Sequence, residues 1–165
     1  AAVAALAGGL GRAAPVEALS MKRMLAKAGP EVEVGNGMVY RDISVGKGIS
    51  PQSGDMCTIH YSLYYKDLEV ESSRESQGLA ASPIGFTFGT ESGPGSIIPG
   101  LMIGTDGMKV GGVRLVTVPP ELAFGSQGRK PIIPPDATVQ FAIQLMSVKR
   151  AGRNPNVNPA GSSVF

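Results

Sequence analysis

The sequence predicts an α+β fold in which a sheet of short strands closes over one short helix. Three observations predict it. Residues 55–65 (D-M-C-T-I-H-Y-S-L-Y-Y) and 138–148 (T-V-Q-F-A-I-Q-L-M-S-V) alternate apolar and polar side chains, the period of a strand with one buried face. Residues 95–112 (G-S-I-I-P-G-L-M-I-G-T-D-G-M-K-V-G-G) set Leu101, Met102, Thr105 and Met108 three and four apart behind Pro99, the spacing of one helical face between glycines. The 23 glycines and 13 prolines favour many turns and short elements over long helices. A short apolar helix keeps its greasy face dry only under a sheet. The helix is therefore expected to floor a pocket and the strands to wall it.

Along the chain, residues 1–18 are small, apolar and nearly uncharged. They read either as the end of a targeting segment or as an Ala/Gly tail, and the absence of an initiating Met leads us to expect a trimmed chain. Residues 17–28 (E-A-L-S-M-K-R-M-L-A-K-A) place Leu19, Met24, Leu25 and Ala28 at helical spacing, and Gly29-Pro30 stops the run. A helix of ~12 residues is marginal alone in water, so this one is either loosely ordered or docked. Strands are expected over 38–45, 55–65, 68–72, 84–88, 113–119 and 138–148. In the second of these, Cys57, Ile59, Tyr61 and Leu63 share one face. Thr58, His60, Ser62 and Tyr64 share the other. Residues 121–136 are expected as an irregular loop. The expected division is an N-terminal arm over 1–36, a domain over 37–150 and a C-terminal arm over 151–165.

The totals exclude several functions. A net charge of +2 argues against a nucleic-acid surface. Cys57 is the only cysteine and His60 the only histidine, so neither a disulfide nor a cysteine or multi-histidine metal centre can be built within the chain. No apolar run approaches the ~20 residues that span a bilayer. Cys57 reads as a small core residue and His60 as structural. Phe86 and Phe88 share a face and read as core.

The order of short motifs carries more than any one of them. A strand ending I-H-Y precedes S-S-R, then F-T-F-G, I-I-P-G before the helix, M-K-V-G, P-E-L-A-F-G, I-P-P-D-A-T and a last alternating strand. From Val39 to Lys149 this succession resembles the FK506-binding-protein (FKBP) family of peptidyl-prolyl cis–trans isomerases. The stretches P-P-E-L-A-F-G and V-G-G-V-R-L-V resemble its plastid, thylakoid-lumen members most. The resemblance implies a five- or six-stranded antiparallel sheet wrapped around one central helix. It implies catalytic positions at Tyr61, Glu71, Ile98 and Phe124. It implies a prolyl pocket lined by Val70, Ile84, Phe86, Ile97, Leu101, Ile132, Ile133 and Phe141. Where the family has an aromatic at Val70 and Ile84, Asp at Glu71, Trp at Leu101 and Tyr at Phe124, this chain departs.

Rotation about an X–Pro bond breaks no bond, so no metal, nucleophile or cofactor is expected. A dry apolar pocket favours the twisted imide, whose carbonyl has lost resonance and polarity. The resemblance gives Ile98 N–H the role of holding a substrate carbonyl at the helix mouth. The thinner walls at Val70 and Ile84, the smaller floor at Leu101 and the missing hydroxyl at Phe124 imply reduced activity. Arg74 is either a surface charge or the partner of Glu71. Two functions follow. One is a weak prolyl isomerase acting on proline-containing clients. The other is a non-catalytic assembly subunit, with its arms gripping a photosystem or another thylakoid membrane complex. Either is expected in the chloroplast thylakoid lumen.

Overall fold

The computed structural model describes residues 21–74, 82–93 and 97–152. In chain order these form α1 (Met21–Lys27), β1 (Val32–Gly35), β2 (Met38–Ser44), β3 (Met56–Tyr65), β4 (Leu68–Ser72), β5 (Ile84–Thr87), α2 (Pro99–Thr105), β6 (Val113–Val118) and β7 (Val139–Lys149). Short 3-10 turns at Pro120–Leu122 and Gly125–Gln127 interrupt the loop before β7. The strands make one antiparallel sheet in the order β1-β2-β6-β7-β3-β4, and β5 pairs with β3 alongside.

The alternation in β3 and β7 is what closes this sheet over α2. Cys57, Ile59, Tyr61 and Leu63 face inward from β3, and Val139, Phe141, Ile143 and Leu145 face inward from β7. All eight are at most 9 % exposed. Burying a side chain of this size stabilises by roughly 1.5–3 kcal/mol. Leu101 from α2 and Val116 and Val118 from β6 complete the same cluster.

The sheet has seven strands, one more than the pattern predicts. The extra one is β1, whose V-E-V-G alternates over too few residues to stand out and is exposed at every position. A turn places it: Asn36 and Gly37 have φ of +53° and +76°, the tight hairpin that Asn-Gly favours.

Two glycines seat α2 on the sheet. A Cβ on Gly100 would lie 2.3 Å from Val118 Cγ1, and one on Gly104 would lie 2.9 Å from Val116 Cγ2. The buried face is thus Gly100, Leu101, Gly104 and Thr105. Met102, expected on that face, is only half-buried. Met108 is buried beyond the helix end. Arg114 caps the other end of α2. Its Nη1 donates to Asp106 O at 2.7 Å and Gly104 O at 3.2 Å, and its Nε donates to Asp42 Oδ1 at 2.7 Å. The guanidinium carbon lies 3.8 Å from the centre of the Tyr40 ring. A cation here meets the negative end of the helix.

α1 covers the outer face. Met21 and Met24 pack on Tyr64 and Leu115, and Leu25, expected on the buried stripe, is 43 % exposed. The two methionines are three apart and rest on one strip of sheet, and Leu25, four residues on from Met21, lies at the edge of the same face. Gly29 N–H also donates to Asp42 O at 2.8 Å. Residues 21–35 therefore pack on their own sheet. Leu19, residues 1–20 and the C-terminal arm from 153 lie outside the described residues.

Candidate active site

Tyr61 stands at the centre of the inner face. Strand alternation points it inward, and its ring meets Phe141 at 6.0 Å between centroids, tilted by 59°. Burial pushes its phenol up to about 12, and the hydrogen bond to the Glu71 carboxylate acts in the same direction. Tyr61 Oη donates to Glu71 Oε1. The hydroxyl is therefore protonated and committed, a wall element rather than an acid or base.

The other apolar positions the resemblance implies separate by depth within one cluster that includes Tyr61. Phe86, Leu101, Ile133 and Phe141 are 1–4 % exposed and form the back. They shape the pocket from behind, with Leu101 as its floor. Val70, Ile84, Ile97, Ile98 and Phe124 are half-buried against that core and form the accessible front. Ile132 does not join them; at 43 % exposure it lies on the outer rim while its neighbour Ile133 turns in. The split follows from the loop: Arg129 N–H donates to Ile133 O at 2.8 Å and Ile133 N–H to Arg129 O at 2.9 Å. That tight bridge sends adjacent side chains to opposite sides.

The α2 N-terminus starts at Pro99, with Ile98 before it. Ile98 O accepts from Leu101 N–H at 3.0 Å and Met102 N–H at 3.2 Å. No side chain caps the helix there. Among the described residues nothing accepts from Ile98 N–H.

The charge at the rim differs from what the sequence suggested. Arg74 donates to Gln144 Oε1 across β3 and does not reach Glu71. Glu71 Oε2 instead pairs with Arg129 Nη2 at 2.5 Å, and the Arg129 guanidinium lies 5.7 Å from the centre of the Phe124 ring. Arg129 was missed because it sits in a stretch with no periodicity. The signal was there in R-K-P: two cations between a glycine and the I-I-P-P that must turn inward.

His60 lies on the outer face, buried, with Nδ1 3.0 Å from Ser73 Oγ. Burial and the neighbouring Arg74 charge hold its pKa below the usual imidazole value. Ser73 Oγ also takes the Tyr61 N–H at 2.9 Å, so the pair ties the exit of β4 to β3. Burial raises the Cys57 thiol to about 11, which makes it inert at neutral pH. Asp55 is buried where β3 begins. Desolvation works to raise its pKa, but N–H donors from Gln52 (2.9 Å) and Ala151 (3.2 Å), with the Arg150 guanidinium, hold it below the usual value. Among the described residues no group of three His, Cys, Asp or Glu side chains is placed to hold a metal, and no helix is long and apolar enough to cross a membrane.

Comparison with known proteins places this arrangement. Residues 47–146 match the FKBP-type peptidyl-prolyl cis-trans isomerase family. The chain is 39 % identical over 153 residues to peptidyl-prolyl cis-trans isomerase FKBP16-4, chloroplastic, of Arabidopsis thaliana, covering 89 % of this chain and 66 % of that protein. It is 33 % identical over 144 residues to FKBP18, chloroplastic, of the same plant, covering 73 % and 60 %. The chain thus spans just under two thirds of the length of these relatives. Its fold is similar to the N-terminal domain of Arabidopsis thaliana FKBP42, with TM-score 0.63, 26 % identity, and coverage of 74 % of this chain and 94 % of that one.

Proposed function

We propose that this chain, which belongs to the family of FKBP-type peptidyl-prolyl cis-trans isomerases, catalyses rotation about X–Pro bonds in proline-containing proteins, with lower turnover than a member carrying a full aromatic lining. The observation that carries the reading is the pairing of an apolar front (Val70, Ile84, Ile97, Phe124) with the Ile98 N–H, which has no acceptor among the described residues, at the start of α2. Unaided rotation crosses ~18–20 kcal/mol and takes tens of seconds. The proline ring enters against Tyr61 and Leu101, and Ile98 N–H holds a neighbouring carbonyl. The imide loses water on entry, and the planar, more polar form loses more by it than the twisted form. Lowering the barrier by ~4 kcal/mol speeds rotation about a thousandfold.

The lining supports the reduced rate. Phe124 cannot donate a hydrogen bond where a tyrosine could, a contact typically worth ~1 kcal/mol. Leu101 offers less floor than tryptophan, and Val70 and Ile84 less wall than aromatics. The test is a protease-coupled proline assay on the wild-type chain, Phe124→Tyr and Leu101→Trp. Measurable turnover that rises in either variant supports the reading. Turnover indistinguishable from the uncatalysed rate in all three overturns it.

The two chloroplastic relatives support a place in the chloroplast, and the resemblance of P-P-E-L-A-F-G and V-G-G-V-R-L-V supports the thylakoid lumen within it. Recovery from stroma alone on plastid fractionation would refute the lumen.

A further inference from the structure

The loop at 128–133 (G-R-K-P-I-I) reaches Glu71 and Phe124 through Arg129, and its shape is braced throughout. The mutual bonds between Arg129 and Ile133 close it. Gly128 has φ of +63°, and a Cβ there would lie 2.5 Å from Ile133 O, so the chain passes itself too closely for a side chain. Asp136 N–H donates to Gly125 O at 2.9 Å and anchors the far end.

This bracing holds three side chains outward. Arg129 and Lys130 are exposed, and Ile132 is exposed beside them. The Arg129 side chain is 46 % exposed although it contacts Glu71. Glu71 is used on both oxygens, by Tyr61 Oη and by Arg129. The guanidinium has five N–H donors, more than Glu71 and Tyr61 engage. The rim therefore presents positive charge with free donors, a short reach from the apolar front. Its fixed carboxylate is already occupied.

We propose that Arg129 and Lys130 are specificity-determining residues that select prolyl segments carrying a carboxylate next to the proline. The proposal rests on the isomerase reading of the pocket. A chain whose proline ring sits on Tyr61 and Leu101 must pass its neighbouring residues over this rim. An acidic side chain there meets unspent guanidinium donors and a nearby ammonium. A basic one meets two like charges, only one of them offset by Glu71. Arginine suits the role because its planar fork binds a carboxylate in two places while still contacting Glu71.

The test uses three peptides that differ only in the residue before proline: Glu, Ala or Lys. Catalysed interconversion is followed by exchange NMR, which needs no protease and so imports no protease preference. At ~0.1 M salt, turnover efficiency with Glu should exceed that with Lys by about five- to tenfold, as expected for exposed charge pairs gained on one side and like charges met on the other. The ratio should shrink toward one at ~1 M salt, where the screening length falls to ~3 Å. Arg129→Glu with Lys130→Glu should reverse the order. Arg129→Gln with Glu71→Gln should remove most of the preference without leaving an unpaired carboxylate. Equal efficiency for Glu and Lys, or an order unchanged in the double reversal, overturns the proposal. If even the Ala peptide is not turned over, the isomerase reading fails by itself. Chemical-shift titrations with the same peptides then decide the charge reading: tighter binding of the Glu peptide keeps it, and equal binding overturns it.

Discussion

Replacing Gly100 or Gly104 by alanine probes how α2 is held against the sheet, and the two sites should respond differently. Each substitution gains ~1 kcal/mol of helix propensity. At Gly100 the new Cβ would lie 2.3 Å from Val118 Cγ1 and 2.9 Å from Leu122 O. One neighbour is a stiff β-branched side chain at 0 % exposure and the other is backbone, so neither can yield locally. At Gly104 the neighbours are Val116 Cγ2 at 2.9 Å, a looser contact than the 2.3 Å at Gly100 though Val116 is as stiff as Val118, and Ile143 Cδ1 at 3.0 Å, the far end of a side chain; no backbone atom is in the way. Overpacking a core typically costs 1–3 kcal/mol and more when backbone must move. We therefore expect Gly100→Ala to lose about 2–3 kcal/mol net, and Gly104→Ala about 0–1 kcal/mol, in urea unfolding. Gly100→Ala should also weaken prolyl peptide binding, because moving α2 displaces Leu101. A double-mutant cycle with Val118→Ala should show a coupling of at least ~1 kcal/mol that favours the pair. Gly100→Ala as stable as wild type, or less damaging than Gly104→Ala, would refute the account of how the helix is seated.

Other consequences are equally open to measurement. Arg114→Met removes the cap on α2 and leaves Asp42 without its partner; a loss on the order of 3 kcal/mol is expected by chemical denaturation, and a change below ~0.5 kcal/mol would mean the cap is idle. Met24→Ala should cost about 2–3 kcal/mol and Leu25→Ala under ~0.5 kcal/mol, and the reverse order would show that α1 packs by another face. His60 has a folded pKa below its unfolded value, so its contribution is fully present above ~6.5 and is lost as pH falls through that value toward the folded one. The denaturation midpoint should drop from pH 7 to pH 5, and His60→Gln should flatten that drop. Asp55 acts lower on the scale: its depressed pKa keeps stability above ~3.9 that is lost as pH falls further, and Asp55→Asn should remove part of that acid limb.

Most of the scaffold is readable from pattern because period-2 alternation is a direct record of which face is buried. Cys57 to Leu63 and Val139 to Leu145 alternate in sequence and are buried in the same alternation in the fold. β1 escaped because its alternation, E-V-E-V, is only four residues long and buries neither valine; Asn36-Gly37 marks the hairpin that places it. The helix was legible from Pro99 and the Leu101 spacing. Its buried face was legible at Leu101 and Thr105 but not at Gly100 and Gly104, which pack by having no side chain and which hydropathy does not register. At the site, the apolar positions could be carried over by resemblance, but depth could not: Phe86, Ile133 and Phe141 sit behind the pocket and Ile132 outside it. The charge pairing was the least legible. Glu71 and Arg129 are far apart in sequence, and only the loop's return brings them together.

The most direct test of the central claim is a titration of the chain's backbone amide signals with a short prolyl peptide. The account predicts that shifts concentrate at Ile98, Leu101, Val70, Ile84 and Phe124, and that Met21, Met24 and Leu115 on the outer face stay still. Shifts centred on the outer face, or no shifts at saturating peptide, would contradict it.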